Sequence, residues 1–132
     1  MAVSPALPAF PPKWPAFSTG ENHDAAAADD IERGALDLYD AHGQFLLRIT
    51  LAGDRHMLVL DLRQLLPHLL AHPCATVILR HRHPSGIAEP SRTDIATTRL
   101  FASLLHALRI RLHDHLIEGG SSQFSFRAEG LI

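Results

Sequence analysis

The residues best suited to do chemistry in this chain fall in one short stretch. His81-Arg-His83-Pro-Ser-Gly86 is followed closely by Pro90-Ser91-Arg-Thr-Asp94. The stretch begins where the apolar run Ala75 to Leu79 ends, and β-branched Thr76, Val77 and Ile78 mark that run as a buried strand. Side chains at i and i+2 of a strand point to the same face, so His81 and His83 can aim at one point. Two imidazoles and a carboxylate are a common ligand set for catalytic zinc, with the fourth position open to water. Ten residues separate His83 from Asp94, enough for a loop that folds back and sets Asp94 in the first turn of a helix. The same letters support a plainer account. Ser91-x-x-Asp94 ahead of an apolar helix is a capping box, with Ser91 at N-cap and Asp94 at N3. His-x-His at a strand end can be two solvated histidines. Spacing alone leaves both accounts standing, and they are compatible if Ser91 caps while Asp94 turns outward.

The elements that must position these residues are legible from periodicity. Pro5, Pro8, Pro11, Pro12 and Pro15 keep the first fifteen residues out of sheet and helix, and the polar, alanine-rich Ser18 to Asp30 follows. Residues 1–30 therefore read as an extended or disordered arm, with Trp14 and Phe17 able to dock it onto its own domain or onto a partner. From Ile31 the pattern turns globular. Gly34 to Tyr39 and Gln44 to Ala52, joined by the turn Asp40-Ala-His-Gly43, predict a hairpin, and Met57 to Leu60 a short strand. Asp61 can cap a helix from Leu62 with Leu62, Leu65, Leu66, Leu69 and Leu70 as its apolar face, and Pro67 should kink or shorten it. His81 to Pro90 reads as a loop. A second helix spans about Arg92 to Leu108, with Ile95, Leu100, Phe101, Leu104, Leu105 and Leu108 facing the core. Arg111 to Glu118 and Gln123 to Arg127 read as strands around a Gly119-Gly120 turn. The order β-β-β-α-β-α-β-β predicts an α/β sandwich, one mixed sheet flanked by helices.

Composition narrows the function classes. The chain has 132 residues, 46% of them hydrophobic and 20% charged, which suits one domain with a real core. The formal net charge of −2 gives no electrostatic case for nucleic acid. Cys74 is the one cysteine, so no internal disulfide forms; it reads as a core residue rather than a nucleophile. There is no basic n-region and no apolar run long enough to span a bilayer, so a soluble cytoplasmic protein is expected. Most of the ten histidines read as solvated surface residues.

Paired histidines followed by proline, then Ser-x-x-Asp, resemble the JAMM motif of the JAB/MPN family of zinc metallopeptidases. The fuller match is to that family's bacterial RadC-like branch. His81-Arg-His83-Pro-Ser-Gly86, Pro90-Ser91-x-x-Asp94, Leu112-His-Asp114-His115-Leu-Ile117 and Phe124-Ser-Phe-Arg127 stand in that branch's order, over residues 31–132. The resemblance implies the MPN/JAB-like, cytidine-deaminase-like α/β sandwich and a zinc ion on His81, His83 and Asp94. It implies a catalytic Glu on an early strand, and Glu32 holds that position. Glu32 would serve as general base towards the zinc-bound water, and Ser91 would donate to the oxyanion. It implies cleavage of an amide bond in a protein or peptide, the bond of a ubiquitin-like conjugate included. Asp114 and His115 fall on opposite faces of a strand, so a structural or supporting role is expected for them rather than ligation.

Some residues depart from the pattern. Arg82 stands where RadC-like proteins usually carry Asn, and Leu62-Arg63-Gln64 where Pro-Arg-Glu is usual. The acidic residue after Gly86 is missing, and the proline-rich arm stands in place of a helix-hairpin-helix region. Two other functions stay open. The family's link to DNA repair suggests a nucleic-acid protein, with Arg80, Arg82, Arg92 and Arg99 as a basic rim, against the net charge. The MPN fold also serves as a metal-free interaction domain.

Overall fold

The computed structural model describes residues 33–53 and 60–132. The expected hairpin is present as β1 (Arg33–Tyr39) and β2 (Phe45–Leu51), paired antiparallel. Asp40 closes its turn. One carboxylate oxygen accepts from the His42 and Gln44 N–H groups at 2.8 and 2.9 Å. Gly43 takes φ 80°, a left-handed conformation that glycine adopts without steric cost. The expected strand at Met57 to Leu60 lies, apart from Leu60, outside the described residues.

Helix α1 (Leu62–Ala71) starts where Asp61 caps it, the side chain accepting from Arg63 N at 3.0 Å. Pro67 does not shorten it. The helix runs four residues further, and both Pro67 and Arg63, whose carbonyl loses its partner, are solvent-exposed. Leu65 and Leu69 are its buried residues, whereas Leu70, expected in the core, is 69% exposed. At about 100° per residue, Leu70 lies roughly 140° around the helix from Leu65, at the edge of the arc that can face inward.

β3 (Thr76–Arg82) runs antiparallel to β1 and parallel to β4 (Arg111–Gly119), and helix α2 (Arg92–Ala107) forms the crossover. β5 (Ser122–Ser125) pairs back on β4, giving a mixed sheet in the order β2-β1-β3-β4-β5. The α/β architecture expected from the pattern is thus present. Among the described residues both helices lie on one face of the sheet. Leu65 and Leu69 of α1, and Phe101 and Leu105 of α2, share a core with Leu36, Leu38, Ile49, Leu51, Val77 and Leu79. The opposite face holds Tyr39, Ile78 and Leu116.

Helix α2 rotates away from the expected face. Leu100 is 63% exposed and Leu104 40%, and the buried stripe is Asp94, Thr98, Phe101 and Leu105. Two adjacent leucine stripes compete on this helix, and the one that continues into Asp94 and Thr98 faces the sheet. β4 contains a further adjustment. Val77 pairs with Leu112 but Ile78 with Asp114, so His113 is the extra residue of a bulge. The bulge reverses the alternation, placing His115 beside Leu79 on the helix-covered face and Asp114 on the other. No described helix is long and apolar enough to cross a membrane.

Candidate metal centre

His81, His83 and Asp94 come together at the end of β3 where α2 begins, with ligand atoms all within 4.8 Å of one another. Each arrives by a different local device. His81 is the penultimate residue of β3, opposite Gly34 of β1 and Ile117 of β4, and is 1% exposed. His83 lies just past the strand. It continues the ladder through its own N–H, which donates to Glu118 O at 3.0 Å. The region expected as loop from His81 is therefore strand through Arg82, and the pleat turns both imidazoles to one side. Their rings meet edge to face with centroids 4.6 Å apart.

Asp94 is brought in by the capping box. The Ser91 hydroxyl oxygen accepts from Asp94 N at 3.0 Å, and the Asp94 carboxylate accepts from Ser91 N at 2.8 Å. The carboxylate oxygen that takes the Ser91 N–H also lies 3.2 Å from His83 Nε2. The other lies 3.9 Å from His81 Nδ1. Capping and metal-site geometry thus coincide, and Asp94 turns inward, at 6% exposure, rather than outward. Burial pushes the Asp94 carboxyl up, but the imidazole of His83, the Ser91 N–H and His81 outweigh it and hold the group at about 2. The carboxylate is ionised at neutral pH, as a metal ligand must be.

The donor set suits zinc. His83 Nδ1 lies 2.9 Å from Ile87 O, an acceptor only, so this nitrogen donates there, and a metal would take the place of the proton that Nε2 shares with Asp94. Locking a ligand imidazole through its other nitrogen is the usual support of a zinc histidine. Ligand atoms about 2.0–2.1 Å from a tetrahedral zinc lie roughly 3.4 Å apart. The separation of His83 Nε2 from Asp94 is close to that already.

A family model for the RadC-like JAB domain matches residues 23–131. The chain belongs to the RadC-like JAB-domain family. It is 46% identical over 110 residues to a UPF0758 protein of Thioalkalivibrio sulfidiphilus, covering 83% of this chain and 40% of that protein. A UPF0758 protein of Nitrosococcus oceani is 46% identical over 70 residues, 53% of this chain and 31% of the relative. UPF0758 protein YeeS of Escherichia coli is 41% identical over 70 residues, 53% of this chain and 47% of the relative. The matched region is thus less than half of each relative, and their names assign no activity.

Within this RadC-like domain the other candidate residues divide. Ser91 stands at the edge of the site, its oxygen engaged by the Asp94 N–H and its hydroxyl hydrogen left to donate. Glu32 lies outside the described residues; the strand begins at the next residue, Arg33, which pairs with Arg82. Arg80 does not join a basic rim. It is 4% exposed, and its Nε donates to Asp37 at 3.0 Å beside the two-pronged Arg48–Asp37 pair at 2.6 and 2.8 Å. Arg82, Arg92 and Arg99 are exposed. Cys74 is half-buried just ahead of β3, packed against the core, and burial pushes its thiol up.

Asp114 and His115 separate as the bulge dictates. The Asp114 carboxylate accepts from His115 N at 2.8 Å, Ser125 Oγ at 2.5 Å and Arg127 N at 3.0 Å, tying β4 to the turn after β5. His115 is 2% exposed and faces the metal site. Its ring lies nearly parallel to that of His81, with centroids 5.7 Å apart. Burial, with the neighbouring His81, lowers it to about 3, so it is neutral. Sequence reading placed His115 among supporting residues but could not see its contact with His81, because the bulge leaves no mark in the hydrophobic pattern.

Proposed function

We propose that this domain is a zinc-dependent hydrolase of the JAMM type, acting on a peptide or isopeptide bond. One observation carries the reading: three buried ligand atoms of zinc-preferring chemistry converge within 4.8 Å on a JAB-family fold. The family includes hydrolases, and many of its members bind zinc.

His81, His83 and Asp94 would hold the ion. Bound zinc supplies Lewis acidity, polarising a carbonyl and lowering the pKa of a coordinated water to about 7. The remaining work falls to the chain. The Ser91 hydroxyl, its oxygen already fixed by the helix N-terminus, would donate to the substrate oxygen as that oxygen gains charge. Glu32 precedes the strand residue next to Gly34, the cross-strand partner of His81. It would take the proton of the attacking water and return it to the leaving nitrogen. The substrate class is a protein or peptide amide, with ubiquitin-like conjugates among the candidates. For a nucleic-acid role Arg82, Arg92 and Arg99 remain at the surface, but Arg80 faces the interior and pairs with Asp37.

The test is zinc content by elemental mass spectrometry, followed by turnover of amide and isopeptide substrates. About one zinc per chain is expected, lost in a His81→Ala/His83→Ala variant. Glu32→Gln should keep the metal and lose activity by about 10²–10⁴-fold. A native protein that stays metal-free after zinc is supplied would overturn the reading and favour an interaction domain.

A further inference from the structure

His115 presents a question of chemistry. A neutral, buried imidazole gives up hydration, and an apolar side chain of similar size would fill the same space without that cost. The position is 2% exposed, and the ring's Nε2 has no hydrogen-bond partner among the described residues. Something other than packing must favour an imidazole there, and its contacts indicate what.

One side of the ring's chemistry runs to Asp94. Thr98 Oγ1 lies 2.6 Å from the Asp94 carbonyl, an acceptor, so the threonine donates its proton there. The same oxygen lies 2.7 Å from His115 Nδ1, so Nδ1 carries a proton and donates to Thr98. A directed chain runs from His115 through Thr98 to the backbone of Asp94, one turn away on α2. The other side runs to His81. The two imidazoles stack with an interplanar angle of 20°, and Phe126 stacks on His115 at 4.4 Å and 17°. Phe126 is wholly buried, and its N–H donates to His115 O at 3.0 Å, so this stack is anchored in the backbone as well.

We propose that His115 is a positioning residue of the metal centre, holding His81 by ring stacking and Asp94 through Thr98. One side chain on β4 thereby sets the relation between a ligand from β3 and a ligand from α2. Those elements share no hydrogen-bond ladder, and nothing in the capping box fixes their distance. The bulge at His113 is what makes this possible. Without it, strict alternation from Leu112 would turn Asp114 towards the ligands and His115 away. The inference rests on the metal reading above and adds a residue to it.

The test compares zinc affinity, by competition with a chromogenic chelator, in the wild type, His115→Phe and Thr98→Val. His115→Phe keeps an aromatic ring for stacking and removes the Nδ1 donor; Thr98→Val keeps the shape and removes the hydroxyl. Metal-free melting temperature is measured alongside, and the d–d spectrum of the cobalt(II)-loaded proteins reports ligand geometry. Loss of a group that orients a ligand typically weakens metal binding by about 10–100-fold. That loss is expected in both variants, with an altered cobalt spectrum, whether or not the metal-free melting temperature moves. A merely structural residue would lower the melting temperature and leave affinity and spectrum alone. Zinc affinity within about twofold of wild type in both variants overturns the inference. A wild type that binds no zinc overturns the metal reading and this inference together, so the two failures are distinguishable.

Discussion

Gly119→Ala should damage the candidate metal centre from the far side of the loop that supports it. A Cβ at Gly119 would stand 2.4 Å from Ala88 N, 2.5 Å from Ile87 C and 2.7 Å from Gly86 O. All three are backbone atoms, so no side chain can swing aside. Comfortable carbon contacts begin near 3.5 Å, so the loop must retreat by about 1 Å. His83 cannot follow, because its N–H is tied to Glu118 O at 3.0 Å in the strand ladder. The bond from His83 Nδ1 to Ile87 O, now 2.9 Å, would open to roughly 3.9 Å, beyond hydrogen-bond range. His83 then loses the contact that fixes its tautomer and ring angle, and zinc affinity should fall about 10–100-fold. Overpacking should also cost about 1–3 kcal/mol of metal-free stability. Gly120→Ala is the control. Its φ is 57°, so an alanine is strained there, but its Cβ would approach nothing closer than Gly86 O at 3.5 Å. It should lose stability, by about 1–2 kcal/mol, and keep its zinc affinity. Chelator competition and thermal melts in EDTA separate the two effects. Unchanged zinc affinity in Gly119→Ala, or an equal loss in Gly120→Ala, would refute the reasoning.

Three further outcomes follow from the same geometry. Asp37→Ala should destabilise the fold by about 3–5 kcal/mol in urea melts, since it removes the carboxylate shared by buried Arg80 and by Arg48; a loss under about 1 kcal/mol would show that the carboxylate contributes little to holding Arg80 in the interior. Ser91→Ala should cost about 1 kcal/mol through the lost cap, whereas Ser91→Asp, which still caps, should recover most of that stability without the hydroxyl. The pair therefore separates capping from any catalytic donation, with stability restored and turnover still impaired in Ser91→Asp. Cys74 should alkylate more slowly at pH 8 than a free thiol of pKa about 8.5, because burial raises its pKa and keeps less of it as thiolate; labelling at the rate of glutathione would contradict its packing.

The cluster of His81, His83 and Asp94 was readable in the sequence because each residue obeys a local rule. His81 and His83 share a face through strand alternation, and Asp94 is fixed by the Ser91 capping box, so neither inference needs the tertiary fold. The hairpin and both helices were legible for the same reason. What escaped was decided by competition between elements. Helix α2 offers Leu100, Leu104 and Leu108 as one stripe and Phe101 and Leu105 as another, and periodicity cannot choose between them. The choice falls to the stripe whose first two turns carry Asp94 and Thr98, because those two have partners to meet in β3 and β4. Arg80 was misplaced for a related reason. Alternation puts it on the face opposite His81, and only the register with β1 reveals that Asp37 waits there in the interior.

The bulge at His113 joins these points. In a regular β4, Leu112, Asp114 and Leu116 would share the helix-covered face, with a carboxylate set against leucines and an imidazole on the far side. One extra residue exchanges them. Leu116 joins Tyr39 and Ile78, Asp114 finds Ser125 and the Arg127 N–H, and His115 meets His81 and Thr98. A bulge interrupts the ladder and costs hydrogen bonds locally, and bulges concentrate beside functional sites where they re-aim a side chain. Here it re-aims two side chains at once and satisfies both. A one-residue deletion at His113 would restore regular pairing and keep His115 opposite Leu79 on the helix-covered face, with Asp114 still opposite Ile78. The deletion should therefore leave a folded sheet with zinc affinity within about twofold of wild type, since the faces of Asp114 and His115 are all that the bulge sets; a loss of about 10–100-fold would show that the local twist of the bulge is needed as well.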